Sequence, residues 1–208
     1  IKISLYEAEP NTAFTMPNRH VINETIAAYA NAAIDGANAA GGKEAVVEIR
    51  NQMLEILGFM ASNIDLRLAC DDEGYTPEER EGIVKAVFGS ASYNDILISL
   101  LCVMASRGDM GKLRGVYHKY EELIESKLNF NVVDVTTVVE LDDNLRTVIT
   151  EKAESDLGRE CVLVEHIDPS IQGGIIMSTG GRYVDASVRT RFDRARIALK
   201  EKTDGGEC

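Results

Sequence analysis

Val132-Val133-Asp134-Val135-Thr136-Thr137-Val138-Val139 is the stretch on which the fold turns. Every residue in it except Asp134 is β-branched, and such side chains suit a pleated strand better than a helix. Upstream of it the apolar residues recur at helical spacing; downstream, β-branched runs alternate with helical stretches. The hydrophobic period therefore changes near residue 130.

Working back from that point, the spacing predicts six helices. The first runs from near Pro17 and Asn18 to about Ala40, with Ile22, Ile26, Tyr29, Ala30, Ala33, Ile34 and Ala37 three or four apart, and stops at Gly41-Gly42. A second covers about Glu44 to Met60, and Asn63 can cap a third through Ala69. Thr76-Pro77-Glu78-Glu79 joins a capping Thr, a first-turn Pro and a Glu at the third position, and opens a fourth helix to Phe88. Ser92 or Asn94 opens a fifth that ends at Gly108, and Asp109 caps a sixth to about Leu128. Residues 1–15, which include Pro10, read as an extended lead-in.

Working forward, Asp142 to Leu157 is an amphipathic helix ending at Gly158, and Cys161 to Ile167 is a second strand. Gly174 to Ser178 and Arg182 to Val184 flank Gly180-Gly181, a hairpin signature, and Ser187 caps a last helix to about Lys200. The expected fold is mainly α with a small α+β part. Residues 1–15 are lead-in, 16–130 form a six-helix bundle, and 131–208 form a small β-α-β-β-α domain that folds independently.

Composition narrows the function. The chain has 208 residues with 34 acids and 22 bases, a formal net charge of −12, which argues against nucleic acid as a partner. No stretch approaches the roughly 18 apolar residues that span a bilayer, and no signal-peptide pattern opens the chain. The cysteines, Cys70, Cys102, Cys161 and Cys208, are isolated, as buried reduced thiols would be. His20, His118 and His166 fall in no metal-binding spacing.

Motifs for chemistry are missing. Gly36 to Lys43 superficially resembles a phosphate loop, but five residues separate Gly36 from Gly42, Glu44 follows Lys43, and a helix precedes it. Asp71-Asp72-Glu73-Gly74 lacks the alternating ligand spacing of a calcium loop and reads as a solvated connector. The expectation is no enzyme and no cofactor.

One composite is specific. Asp168-Pro169-Ser170-Ile171-Gln172-Gly173-Gly174-Ile175-Ile176 is followed, fourteen residues after Ile171, by Asp185-Ala186-Ser187-Val188-Arg189-Thr190-Arg191-Phe192. This resembles the signature of the delta subunit of the rotary ATP synthase, the oligomycin-sensitivity-conferring protein of mitochondria. Tyr29 to Ala37 is similar to that family's first-helix pattern, and Val135 to Leu141 to its strand leading into a helix. Departures are Gln172 for an aliphatic, Ala186 for Gly, Phe192 for Leu, and Ala33 and Ile34 for Leu and Phe; Ala186 must tolerate whatever backbone angle Gly adopted.

The resemblance implies a non-catalytic stator subunit, one copy per complex, peripheral on the cytoplasmic face of a bacterial cell membrane. It implies that the helical part clasps N-terminal helices of the alpha subunits through its first and fifth helices, at Tyr29, Ala33, Leu100, Val103 and Met104. Tyr29 is expected at the rim of that groove. The small part is expected to hold the C-terminal ends of the b subunits. Asp168, Pro169, Gly173, Gly174, Asp185 and Ser187 are expected to shape the small domain. Arg189, Arg191, Arg194 and Arg196 are contact candidates, because residues 182–202 carry seven bases against three acids, +4 against −16 for the rest. A stand-alone helical adaptor or regulatory module is the alternative.

Overall fold

The computed structural model describes residues 19–72, 74–89 and 92–204, so the lead-in and Cys208 lie outside the described residues. The chain is mostly helical with one four-stranded sheet. Helix α1 (Arg19–Ser62) is broken into two arms at Gly41 (φ −155°, ψ 16°) and Gly42 (φ 62°, ψ −141°). Gly42 needs glycine there, because its left-handed φ is costly for other residues. Then come α2 (Ile64–Asp71), α3 (Pro77–Phe88), α4 (Asp95–Ser106) and α5 (Leu113–Leu123), the last entered by a 3₁₀ turn and left by a π turn, Ile124–Leu128.

The caps separate good local signals from misleading ones. Thr76 and Glu79 form the reciprocal box: the Glu79 amide donates to Thr76 Oγ1 at 3.3 Å and the Thr76 amide to Glu79 Oε2 at 2.9 Å. Asn94, not Ser92, caps α4 by accepting from the Ile96 amide at 3.1 Å. Asn63 precedes α2 but does not cap it; its amide group donates back to the Phe59 carbonyl at 2.8 Å. Asp109 caps nothing either, because its carboxylate is taken by the Tyr29 hydroxyl and by Lys112.

Strand β1 spans Phe130–Thr137, beginning two residues before the β-branched run and ending before Val138. Asn129, at φ 56°, ends the preceding turn in the left-handed conformation and lets the chain pass straight into the strand. Val138 and Val139 are left outside, where the Thr137 hydroxyl donates to the Val139 carbonyl at 2.7 Å. Helix α6 (Asp143–Leu157), β2 (Glu160–Ile167), β3 (Ile175–Thr179), β4 (Arg182–Asp185) and α7 (Val188–Asp204) complete the chain. The sheet order is β2-β1-β3-β4, with β1 parallel to β2 and antiparallel to β3, and β4 antiparallel to β3. Gly180 and Gly181, with φ of 46° and 86°, supply the two positive angles of a tight hairpin turn.

Alternation along β1 decides what the sheet touches. Val133 and Val135 face a cluster with Cys161, Leu163, Ile175 and Met177 and with Ile149, Ala153 and Leu157 of α6. Phe130 and Val132, joined by Val162 and Val164, face the other way and belong to the core of the helices. The sheet thus lies between the helical core and α6.

Candidate functional sites

The signature around Asp168 and Asp185 closes on itself. Asp168 Oδ1 and Oδ2 accept from the amide and hydroxyl of Ser170 at 2.8 and 2.9 Å, fixing the turn after β2. Those bonds hold the Asp168 carboxyl below the usual carboxylate range. Pro169 opens the one-turn 3₁₀ helix that follows. Gly174, at φ 82°, admits no side chain: an added Cβ would lie 2.5 Å from the Ala186 carbonyl oxygen. At Gly173 an added Cβ would press on Val188 at 3.1 Å. The close approach is held by Ala186 N–H to the Ile175 carbonyl and Val188 N–H to the Gly173 carbonyl, both 2.9 Å. Gln172 takes the left-handed conformation (φ 62°), whereas Ala186 needs no positive φ.

Asp185 then starts the last helix. Its Oδ1 accepts from the Ser187 amide at 2.9 Å and its Oδ2 from the Thr190 hydroxyl at 2.8 Å, while buried Ser187 accepts from the Thr190 amide at 3.2 Å. The Ser187 and Thr190 bonds hold the Asp185 carboxyl low. The result is a rigid stem for α7. Beyond it Phe192, Ile197 and Leu199 stand exposed on α7, as do Arg189, Arg191, Arg194 and Arg196.

The five residues named on the first and fifth helices are placed unevenly. Tyr29 is only 6% exposed, and Ala33, Leu100 and Met104 are buried too; Val103 alone is open, at 45%. The expectation of a rim position for Tyr29 is corrected: its hydroxyl donates to Asp109 Oδ2 at 2.8 Å across the top of the helices, and its ring is core. Burial and that bond raise the Tyr29 pKa.

Two features escaped the sequence reading. One is a groove of about 570 Å³ between the first arm of α1 and α5, floored by Ile26, Ala27 and Gly115 and rimmed by His20, Glu24, His118 and Lys119. The Gly-to-Ile approach could be found only with the helix pairing in hand, since a Cβ on Gly115 would sit 2.7 Å from Ile26 Cδ1. The other is buried Arg50, which bonds Glu121 and Asp134. Nothing in its helical run marks Arg50 as different from other charged positions. Among the described residues, no group of three or more His, Cys, Asp or Glu could hold a metal ion, and no helix is long and apolar enough to cross a membrane.

Comparison with known proteins agrees with the signature. The model of the family described as ATP synthase delta (OSCP) subunit matches residues 26–199. ATP synthase subunit delta of Azorhizobium caulinodans is 29% identical over 173 residues, 83% of this chain and 91% of that protein. The subunit delta of Rhodopirellula baltica is 30% identical over 166 residues, 80% and 72% of the two chains, and that of Prochlorococcus marinus 27% over 182 residues, 87% and 99%. A chain of the Toxoplasma gondii mitochondrial ATP synthase hexamer matches with a TM-score of 0.47 at 17% identity, covering 84% of this chain and 96% of its own. The family match spans residues 26–199, from the first helix into α7, and this chain belongs to the ATP synthase delta (OSCP) subunit family, a structural, non-catalytic component of the peripheral stalk of that membrane-associated complex.

Proposed function

We propose that this subunit joins the alpha/beta catalytic head of the ATP synthase to its b subunits, and so keeps the head still while proton flow turns the rotor. In this reading residues 16–130 receive the N-terminal helices of alpha subunits and residues 131–208 the C-terminal ends of b. One copy serves each complex, on the cytoplasmic face of a bacterial membrane. No cofactor takes part.

The observation that carries the reading is the exposed aromatic Phe192 on α7. Phe192 and Leu199 are each 68% exposed there, with Arg189 and Arg196 exposed three and four residues from Phe192 on the same side, on a chain that is otherwise strongly acidic. An apolar strip flanked by arginines suits an amphipathic helix with acidic flanks. On the helical part, Val103 is the member of the expected alpha interface whose side chain can meet a partner directly. Leu100, Met104, Tyr29 and Ala33 support the surface from beneath. The groove over Gly115 is a second concave face on the same helix α1.

Binding of synthetic alpha N-terminal and b C-terminal peptides to the full chain tests the assignment. Val103→Glu should abolish alpha binding and spare b; Arg191→Glu with Arg194→Glu should do the reverse. Loss of alpha binding in Gly115→Leu but not in Val103→Glu would move the alpha site to the α1/α5 groove. Binding of neither peptide by the parent chain would sink the proposal and leave the adaptor alternative.

A further inference from the structure

Among the described residues one buried cation sits on the seam between the helices and the sheet. Arg50, on the second arm of α1, is 4% exposed. Its guanidinium donates to both oxygens of Asp134 on β1, at 2.9 and 2.6 Å, and through Nε and Nη2 to Glu121 Oε1 on α5, at 3.1 and 2.8 Å. The Tyr117 hydroxyl donates to the same Glu121 oxygen at 2.7 Å, and its ring lies 5.8 Å from the guanidinium carbon. His166 of β2 approaches Asp134 Oδ1 at 3.2 Å, and His118 lies 3.8 Å from Glu121 Oε2. Burial opposes the charge on Arg50, but the bonds and charge of Asp134 outweigh it and raise its pKa.

The rest of the seam is apolar or open to water; at its edge Arg159 donates to the Glu125 carbonyl at 3.1 Å, an exposed bond. Phe130, Val132, Val162 and Val164 meet the helices through apolar contact, which resists separation but tolerates sliding. Lys43 and Glu160 also cross it, but both are largely open to water, where an ion pair contributes little. Arg50 is different because its planar fork reaches a carboxylate on each side at once, which a lysine ammonium cannot reproduce. A buried ion pair adds little net stability; what it can do is select one arrangement, since any other leaves charges unpaired.

We infer that Arg50 is the positioning residue that fixes the angle between the helical part and the sheet, so that load entering one part is passed to the other. The first half of this stands on the geometry of the seam; the second rests on the stator reading above.

The test uses the full chain, spin-labelled at Asp65→Cys on α2 and Glu151→Cys on α6, both exposed positions. Cys208→Ser removes a competing thiol, and Cys70, Cys102 and Cys161 are buried. Double electron–electron resonance should give one narrow distance peak for the parent and loss of that peak, with unchanged circular dichroism, in Arg50→Met. Arg50→Lys keeps the charge without the fork and should lose it too; Asp134→Asn serves if Arg50→Met does not fold. A peak that stays narrow in Arg50→Lys and Asp134→Asn overturns the inference. In the reconstituted complex, Arg50→Lys should assemble normally yet lose coupled ATP synthesis; full coupling despite a broadened peak overturns the transmission of load. Failure of the parent chain to bind the alpha or b peptides would sink the stator reading while leaving the distance result standing.

Discussion

The helical part and the sheet part bury their apolar residues to different depths. In the first, Ile34, Val46, Ile49, Met53, Ile56, Leu97, Leu101 and Leu113 are all sealed from water. In the second, α6 has no buried residue, β4 leaves Tyr183 and Val184 open, and α7 turns Phe192, Ile197 and Leu199 outward. The difference teaches where each part gets its stability. The helices form a core of their own; the sheet leans one face of β1 on that core and the other on α6, and leaves α7 projecting. Apolar side chains exposed at one end of a well-packed chain are what the proposed b-subunit contact would cover.

The sharpest way to break this comparison is at the residue both parts share. Phe130 is the first residue of β1 and is fully buried among the helices. Phe130→Ala should cost about 3–5 kcal/mol, the range for emptying a buried aromatic site. Urea unfolding followed by circular dichroism measures it. A loss under about 1 kcal/mol would mean that the sheet does not rest on the helical core, since such a loss is typical of an ordinary, poorly packed position.

How much of this could be read beforehand varies with the range of the interaction. Thr76 and Glu79, Asp142 before α6, and the Gly180-Gly181 turn are local devices, and each does what its spacing says. Asn63 and Asp109 look like the same kind of device, but a nearby carbonyl claims one and a distant hydroxyl the other. The strand was found through its valines, yet its start was missed because Phe130 joins it only when Glu160 is opposite. At the sites the motif residues were legible as a group, since Gly174 and Asp185 act within one turn-and-cap assembly. Arg50 was not, because both of its partners lie more than seventy residues away, at Glu121 and Asp134.

Tyr29 sharpens the comparison on the helical side. Tyr29→Ala should cost about 3 kcal/mol, because it empties a core position. Tyr29→Phe keeps the ring and should cost only about 1 kcal/mol, the loss of one hydrogen bond to a carboxylate that Lys112 still holds. Thermal unfolding of the pair measures both. Equal small losses would return Tyr29 to the surface.

On the sheet side, acid should loosen the start of α7. Asp185 is held low by its bonds to Ser187 and Thr190, so its contribution is complete above the ordinary aspartate pKa of about 3.9. It is lost as the pH falls through the lower folded value. Amide shifts of Ser187 and Thr190 should follow that titration while those of α4 stay fixed. Asp185→Asn should remove the titration; persistence of it would assign the step to another carboxyl.

The smallest effect on stability is expected at an aromatic side chain already open to water. Phe192 is 68% exposed and follows Arg191 on α7. If the sheet part keeps this face for a partner, the isolated chain has nothing to lose there. Phe192→Ser should therefore move stability by no more than about 0.5 kcal/mol, which is the ordinary range for a surface position. At this chain length that corresponds to about 2 °C in the melting temperature. The same change should weaken binding of a b C-terminal peptide by about 2 kcal/mol, roughly thirtyfold, as expected for an aromatic residue at the centre of an interface. Arg196→Ala, four residues along from Phe192 on the same side of α7, should mainly slow association and should do so less at high salt, because its charge steers rather than anchors. Calorimetry and stopped-flow binding read these separately. A large fall in melting temperature for Phe192→Ser would show that α7 packs on its own chain in solution; unchanged peptide affinity would show that its open face serves some other purpose than the stalk.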